Sequence, residues 1–155
     1  MKLTNTLLLF FFALYLHAQE RTQYNELTIP QKNGKRIYGV ISGPATQSKH
    51  GIAIISHGFN GTHHFGKDYF QTLNDLGYAV YTFDYPCGSI HSRSDNNTME
   101  MSISDEKETL KEIVSYFRKQ KNIDKHRIVL CGESQGGLVS ALAAAELKKQ
   151  VSHLI

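Results

Sequence analysis

Gly132-Glu133-Ser134-Gln135-Gly136-Gly137 is the stretch on which the reading of this chain turns. Before it comes a short apolar run, Arg127-Ile128-Val129-Leu130-Cys131, that reads as a strand. After it, Leu138-Val139-Ser140-Ala141-Leu142-Ala143-Ala144-Ala145 reads as a buried helix. Strand, Gly-x-Ser-x-Gly, helix is the pattern of a nucleophile elbow, a strained turn that lifts a serine hydroxyl clear of a sheet. The turn packs helix on strand so closely that the positions two before and two after the serine must be small. Gly132 and Gly136 meet that need. The spacing alone is a weak signal, arising by chance in roughly one chain of this length in twenty. The flanking sequence must supply the context.

Working outward, Ser102 with Asp105 three places on resembles a capping box, and Asp105, Glu106 and Glu108 suit the positive end of a helix. Leu110, Ile113, Val114 and Phe117 form the buried stripe of that helix, and Lys119 and Lys121 suit its far end. Residues 87–101 are rich in Ser, Asn and Asp and read as loop. Tyr78-Ala79-Val80-Tyr81-Thr82-Phe83-Asp84 is a strand, broken by Pro86. Phe65, Tyr69, Leu73 and Leu76 mark a helical stripe closed by Gly77. Gly51-Ile52-Ala53-Ile54-Ile55-Ser56 is continuously apolar, as a strand buried on both faces would be, and ends in His57-Gly58-Phe59. Further upstream, Asn33-Gly34 between two apolar-alternating runs signals a hairpin. Val151-Ser152-His153-Leu154-Ile155 reads as the start of one more strand. A hairpin followed by alternating strands and helices predicts an α/β fold with a mostly parallel sheet covered on both faces.

Composition excludes several classes. The 155 residues are 41% hydrophobic and 20% charged, which is globular, and the net charge of +3 is small and scattered. Arg118-Lys119-Gln120-Lys121 and Lys148-Lys149 are short enough to be solvated helix ends, so no nucleic-acid partner is expected. Residues 1–18 form a separate segment: Lys2, the apolar run from Leu7 to Leu14, then His17-Ala18-Gln19. That order is that of a secretory signal peptide, and the apolar run is shorter than the roughly 20 residues a membrane span needs. An exported protein with no stable membrane anchor is the expectation, residues 19–155 being the folded part. Export would permit a disulfide between Cys87 and Cys131, but a buried thiol is the simpler reading of Cys131. His63-His64 are adjacent and would point about 100° apart on a helix, a poor joint metal site.

The chain resembles the N-terminal half of an α/β-hydrolase. Among these it is most similar to the bacterial feruloyl (cinnamoyl) esterase-like branch, in which His-Gly-Phe follows the third strand and Gly-x-Ser-Gln-Gly-Gly the fifth. Both motifs are present, as His57-Gly58-Phe59 and Gly132-Glu133-Ser134-Gln135-Gly136-Gly137. The resemblance covers about residues 24–155. It implies a serine hydrolase of carboxylic esters that needs no cofactor or metal, acting on a small-molecule or polysaccharide-linked ester. Ser134 is the implied nucleophile, with the backbone N–H groups of Phe59 and Gln135 as the oxyanion hole. His57 is implied to support its loop and not to act as the base, and Asp84 to be a loop-fixing carboxylate. Glu133 stands where the family more often has His, and is read as a packing or hydrogen-bonding residue. Tyr85-Pro86-Cys87-Gly88-Ser89 departs from the Arg-Gly-His-Gly-like loop common at that point.

In this fold the triad runs Ser, then Asp or Glu, then His in chain order. His153 is the sole histidine after Ser134 and comes too early to be the base. The acid, the base and the last strands are therefore expected beyond Ile155, with the chain truncated after the start of the sixth strand and inactive alone. The other readings are a truncated non-catalytic chain, a pseudoenzyme that binds ligand, or a peptidase, lipase or thioesterase of the same fold.

Overall fold

The computed structural model describes residues 23–44, 48–95 and 100–155. Residues 1–18, expected to be a signal peptide, lie outside them. β1 (Tyr24–Pro30) and β2 (Arg36–Ser42) form the antiparallel hairpin that Asn33-Gly34 signals. Gly34 sits at φ +83° and the Lys35 N–H donates to Asn33 Oδ1 at 2.9 Å, so both residues act through turn chemistry. β3 (His50–Ser56), β4 (Tyr78–Phe83), β5 (Ile123–Gly132) and the short β6 (His153–Leu154) complete one six-stranded sheet. Its order is β1-β2-β4-β3-β5-β6, with β4, β3, β5 and β6 parallel and the hairpin antiparallel at one edge.

β3 lies between β4 and β5 and is buried along almost its whole length, as its unbroken apolar run predicts. Ile52 and Ile54 face one side, where α2 (Ile103–Arg118) and α3 (Gln135–Leu147) cover the sheet. Leu110, Ile113, Val114 and Phe117 of α2 pack there, as their spacing predicts. On the opposite face Ile55, Val80 and Val40 meet Phe70 of α1 (Phe70–Asp75). Among the described residues no helix is long and apolar enough to cross a membrane.

Four local expectations change. The stripe from Phe65 to Leu76 is not one helix but a 3₁₀ turn, Phe65–Tyr69, running into α1. The change in residues per turn rotates the inward face, so Phe70 is buried while Tyr69 and Leu76 are exposed. β5 begins at Ile123 and not at Arg127, because Ile123 pairs with His50 across a bulge that the polar Asp124-Lys125-His126 conceals in the sequence. Lys148-Lys149, expected to be a solvated helix end, instead lie in a 3₁₀ turn, Lys148–Gln150, beyond Leu147. The last strand is shorter than Val151 to Ile155, although Ser152 N–H to Ile128 O at 2.7 Å and Ile155 N–H to Leu130 O at 2.9 Å extend its bonding.

Candidate active site

Gly132 closes β5 and Gln135 opens α3, so Ser134 occupies the tightest point of the turn between them. Its backbone stands at φ +52°, ψ −120°, a region that costs a non-glycine residue on the order of 1–3 kcal/mol. The strain is imposed from both sides. A β-carbon on Gly132 would lie 2.4 Å from the Gly136 carbonyl oxygen, so strand and helix touch through bare backbone. The result is an exposed serine at the C-terminal end of the parallel strands, where sheets of this kind carry their chemistry.

The loop after β3 lies alongside. A β-carbon built on Gly58 would come within 3.4 Å of Ser134 Cβ and 3.9 Å of its Oγ. That proximity brings the Gly58-Phe59 backbone to the serine. The Phe59 N–H has no acceptor among the described residues, and the Gln135 N–H belongs to the first turn of α3, which has no intrahelical acceptor. Phe59 is 68% exposed, while bonds on either side, Asn60 N–H to Gly88 O and Gly61 N–H to Gly58 O, hold the backbone of its loop.

His57 is 2% exposed and fully engaged. The Tyr85 N–H donates to its Nε2 at 3.2 Å, which makes that nitrogen an acceptor and leaves Nδ1–H to donate to the Gly58 carbonyl at 2.7 Å. Burial holds its pKa below the ordinary 6.5. A neutral imidazole with both nitrogens occupied supports a loop and has no lone pair to offer Ser134. Asp84 is wholly buried and bonds in three directions. Its Oδ1 accepts from His63 N–H at 2.6 Å and His63 Nδ1 at 2.9 Å, and its Oδ2 accepts from Arg93 N–H at 2.9 Å. It therefore stitches the loop after β3 to the loop after β4, and Asn60 N–H to Gly88 O at 3.1 Å adds a second stitch.

The residues 85–89 that depart from the family pattern are buried under this junction. Cys87 there stands at φ +65°, and both it and Cys131 remain thiols. Cys131 is half-buried, less than a core residue, and burial pushes its thiol up. Glu133 is exposed beside the elbow. The two histidines do not diverge as expected: the His63 and His64 rings lie 4.2 Å apart and tilted by 34°, because they sit in a turn and not in a helix. Among the described residues no group of three or more His, Cys, Asp or Glu is arranged to hold a metal.

One residue at the site escapes the sequence reading. Glu106 suits a helix N-terminus by its charge, yet it is 2% exposed and its Oε2 accepts from Gln135 Nε2 at 2.7 Å. The signal was present in the periodicity, since Glu106 falls four places before Leu110 and on the same stripe.

The family model described as serine aminopeptidase, S33, matches residues 47–155. No curated protein matches the sequence. Among solved structures, the α/β hydrolase GrgF from Penicillium sp. sh18 superposes with a TM-score of 0.74 at 20% identity, over 85% of this chain and 44% of that one. Est1E from Butyrivibrio proteoclasticus, solved with ferulic acid bound, gives 0.72 at 26% identity, over 83% and 50%. The thioesterase domain from the curacin biosynthetic pathway gives 0.69 at 17% identity, over 85% and 45%. The chain thus spans about half the length of these structures. With a family model covering most of its length and α/β hydrolases as its neighbours, the chain belongs to the serine aminopeptidase S33 family of α/β-hydrolases.

Proposed function

We propose that the whole protein carrying this chain hydrolyses carboxylic esters of the feruloyl or cinnamoyl type through an acyl-enzyme on Ser134. The observation that carries this reading is the strained, exposed Ser134 beside two backbone amides without acceptors among the described residues. Est1E, with its bound ferulic acid, supports the choice of ester.

Ser134 Oγ attacks the ester carbonyl as its proton passes to a base, and the carbonyl oxygen gains negative charge. The N–H groups of Phe59 and Gln135 receive that charge, the second with the positive end of α3 behind it. The carbonyl re-forms, the alcohol leaves with a proton, and water then releases the acid by the same route in reverse. His57, with both ring nitrogens committed to its loop, is not the base in this reading.

The test is hydrolysis of methyl ferulate and 4-nitrophenyl butyrate by the whole protein and its Ser134→Ala variant. The variant should lose essentially all turnover; the loss of one oxyanion donor alone typically costs on the order of 10²–10³ in kcat. Unchanged ester hydrolysis in Ser134→Ala would sink the assignment. The family description also favours a second reading, release of an N-terminal amino acid. Aminoacyl 4-nitroanilides separate the two, because turnover of anilides with none of methyl ferulate would favour the peptidase.

A further inference from the structure

Glu106 stands in the first turn of α2, on the stripe that continues as Leu110, Ile113, Val114 and Phe117. A leucine there would extend the core. Instead a carboxyl is buried, with Oε2 on Gln135 Nε2 at 2.7 Å and Oε1 without a partner among the described residues. Burying a polar atom without a partner is costly, so the position is poor for stability taken alone. Burial pushes the Glu106 carboxyl pKa up, opposed by the Gln135 hydrogen bond. The Gln135 side chain also donates to Met101 Sδ at 3.7 Å. Both partners come from the start of α2, Glu106 from its first turn and Met101 from just before its cap.

Gln135 is the residue whose backbone N–H opens α3 beside the serine. A glutamine in the first turn of a helix has a side-chain carbonyl that can reach back to a free backbone N–H there. Held by Glu106 through its amide nitrogen, it cannot do so, and the peptide joining Ser134 to Gln135 keeps one orientation. Donors must be held within about 0.5 Å and 10–20° of the productive geometry to be effective. We propose that Glu106 is a positioning residue for the Gln135 amide, acting through the Gln135 side chain. The proposal rests on the reading of Ser134 as nucleophile and the Gln135 N–H as oxyanion donor.

The experiment measures kcat and KM for 4-nitrophenyl butyrate in the whole protein, per active site titrated with a fluorophosphonate. Glu106→Leu keeps the volume and removes the acceptor; Glu106→Gln keeps an acceptor oxygen; Gln135→Ala removes the other half of the pair. Glu106→Leu should lower kcat about tenfold with KM within about twofold, the scale of a donor displaced and not deleted. Glu106→Gln should recover most of that loss. Gln135→Ala should lower kcat to a similar extent, and Glu106→Leu should add nothing further on top of it.

A purely structural role would change the melting temperature and the fraction titrated, leaving kcat per site alone. Wild-type kcat per site in Glu106→Leu, with Ser134→Ala inactive, overturns the positioning role and spares the nucleophile. If Glu106→Leu does not fold, wild-type kcat in Gln135→Ala overturns the role equally. Turnover surviving in Ser134→Ala removes the premise and the proposal together.

Discussion

A β-carbon on Gly136 would lie 2.4 Å from the Ser56 carbonyl oxygen and 2.5 Å from that of His57. Both are backbone atoms at the end of β3, so they cannot swing aside as a side-chain tip could. Gly136→Ala must therefore push α3 away from β3, and the amides of Phe59 and Gln135 ride on those two elements. The expected cost is about 2 kcal/mol in stability, the scale of overpacking. A fall of about 10²-fold in kcat should accompany it, the scale of a misplacement near 1 Å. Gly137→Ala is the control: its β-carbon would meet the Gly132 carbonyl oxygen at 3.1 Å, a contact relieved by a shift of a few tenths of an ångström. It should cost less in both readings. Urea denaturation and ester kinetics of the two variants check this, and equal damage from both would refute the close-approach argument. The need for small residues at these positions was legible in the spacing of the motif. The burial of Glu106 was not read from it, because charge at a helix start suggests solvent and only the stripe says otherwise.

α2 carries Glu106 to the elbow, so what starts that helix matters at the site. Ser102 caps it: the Asp105 N–H donates to Ser102 Oγ at 3.1 Å, and the Ser102 hydroxyl donates to Asp105 Oδ2 at 2.7 Å. The second bond differs from a full capping box, in which the acidic side chain would accept from the cap's own backbone N–H. Ser102→Ala should cost about 1 kcal/mol in urea denaturation, and Ser102→Thr, which keeps the acceptor, should recover most of it. No loss in the alanine variant would mean that tertiary packing alone starts the helix. Lys107 and Lys111 of α2 both bond Glu146 of α3, holding that carboxyl down to about 2. Glu146 is exposed and the two lysines are half-buried, so solvent screens the bridge and it aligns the two helices more than it stabilises them. At this scale the sequence was informative wherever periodicity ran uninterrupted, as in α2. It was silent where neighbours decide the geometry. Gly66 shows why: a β-carbon there would meet Thr82 Oγ1 at 2.4 Å, and this close approach to β4 accompanies the 3₁₀ turn before α1.

The sheet order explains why the separated motifs meet. β3 connects onward to β4 on one side and its neighbour β5 connects onward to β6 on the other, so the connections from these two adjacent strands leave in opposite directions. Such a switch point opens a crevice at the C-terminal ends of the strands, and the loop after β3 and the turn after β5 border it. Both motifs are legible in the sequence but their contact is not, because it depends on a strand order that no periodicity encodes. Loop and turn are held there by buried polar groups, which ties the fold to pH. His57 is neutral in the folded protein, its pKa lowered first by burial, whereas the unfolded chain titrates near the ordinary 6.5. Below that value the unfolded chain takes up a proton that the folded one refuses, so stability is full above about 6.5 and falls as pH drops toward the lowered folded value. Glu106 has the opposite sign: its raised pKa makes the folded state lose stability as pH rises from the ordinary 4.5. Comparing wild type with His57→Gln isolates the first effect, since glutamine offers Tyr85 N–H an acceptor and has no proton to gain. Between pH 7.5 and 5.5 the urea midpoint of the wild type should fall further than that of the variant. Equal falls would mean that the His57 ring is reached by solvent and protonates in place, and that its two hydrogen bonds do not hold the loop.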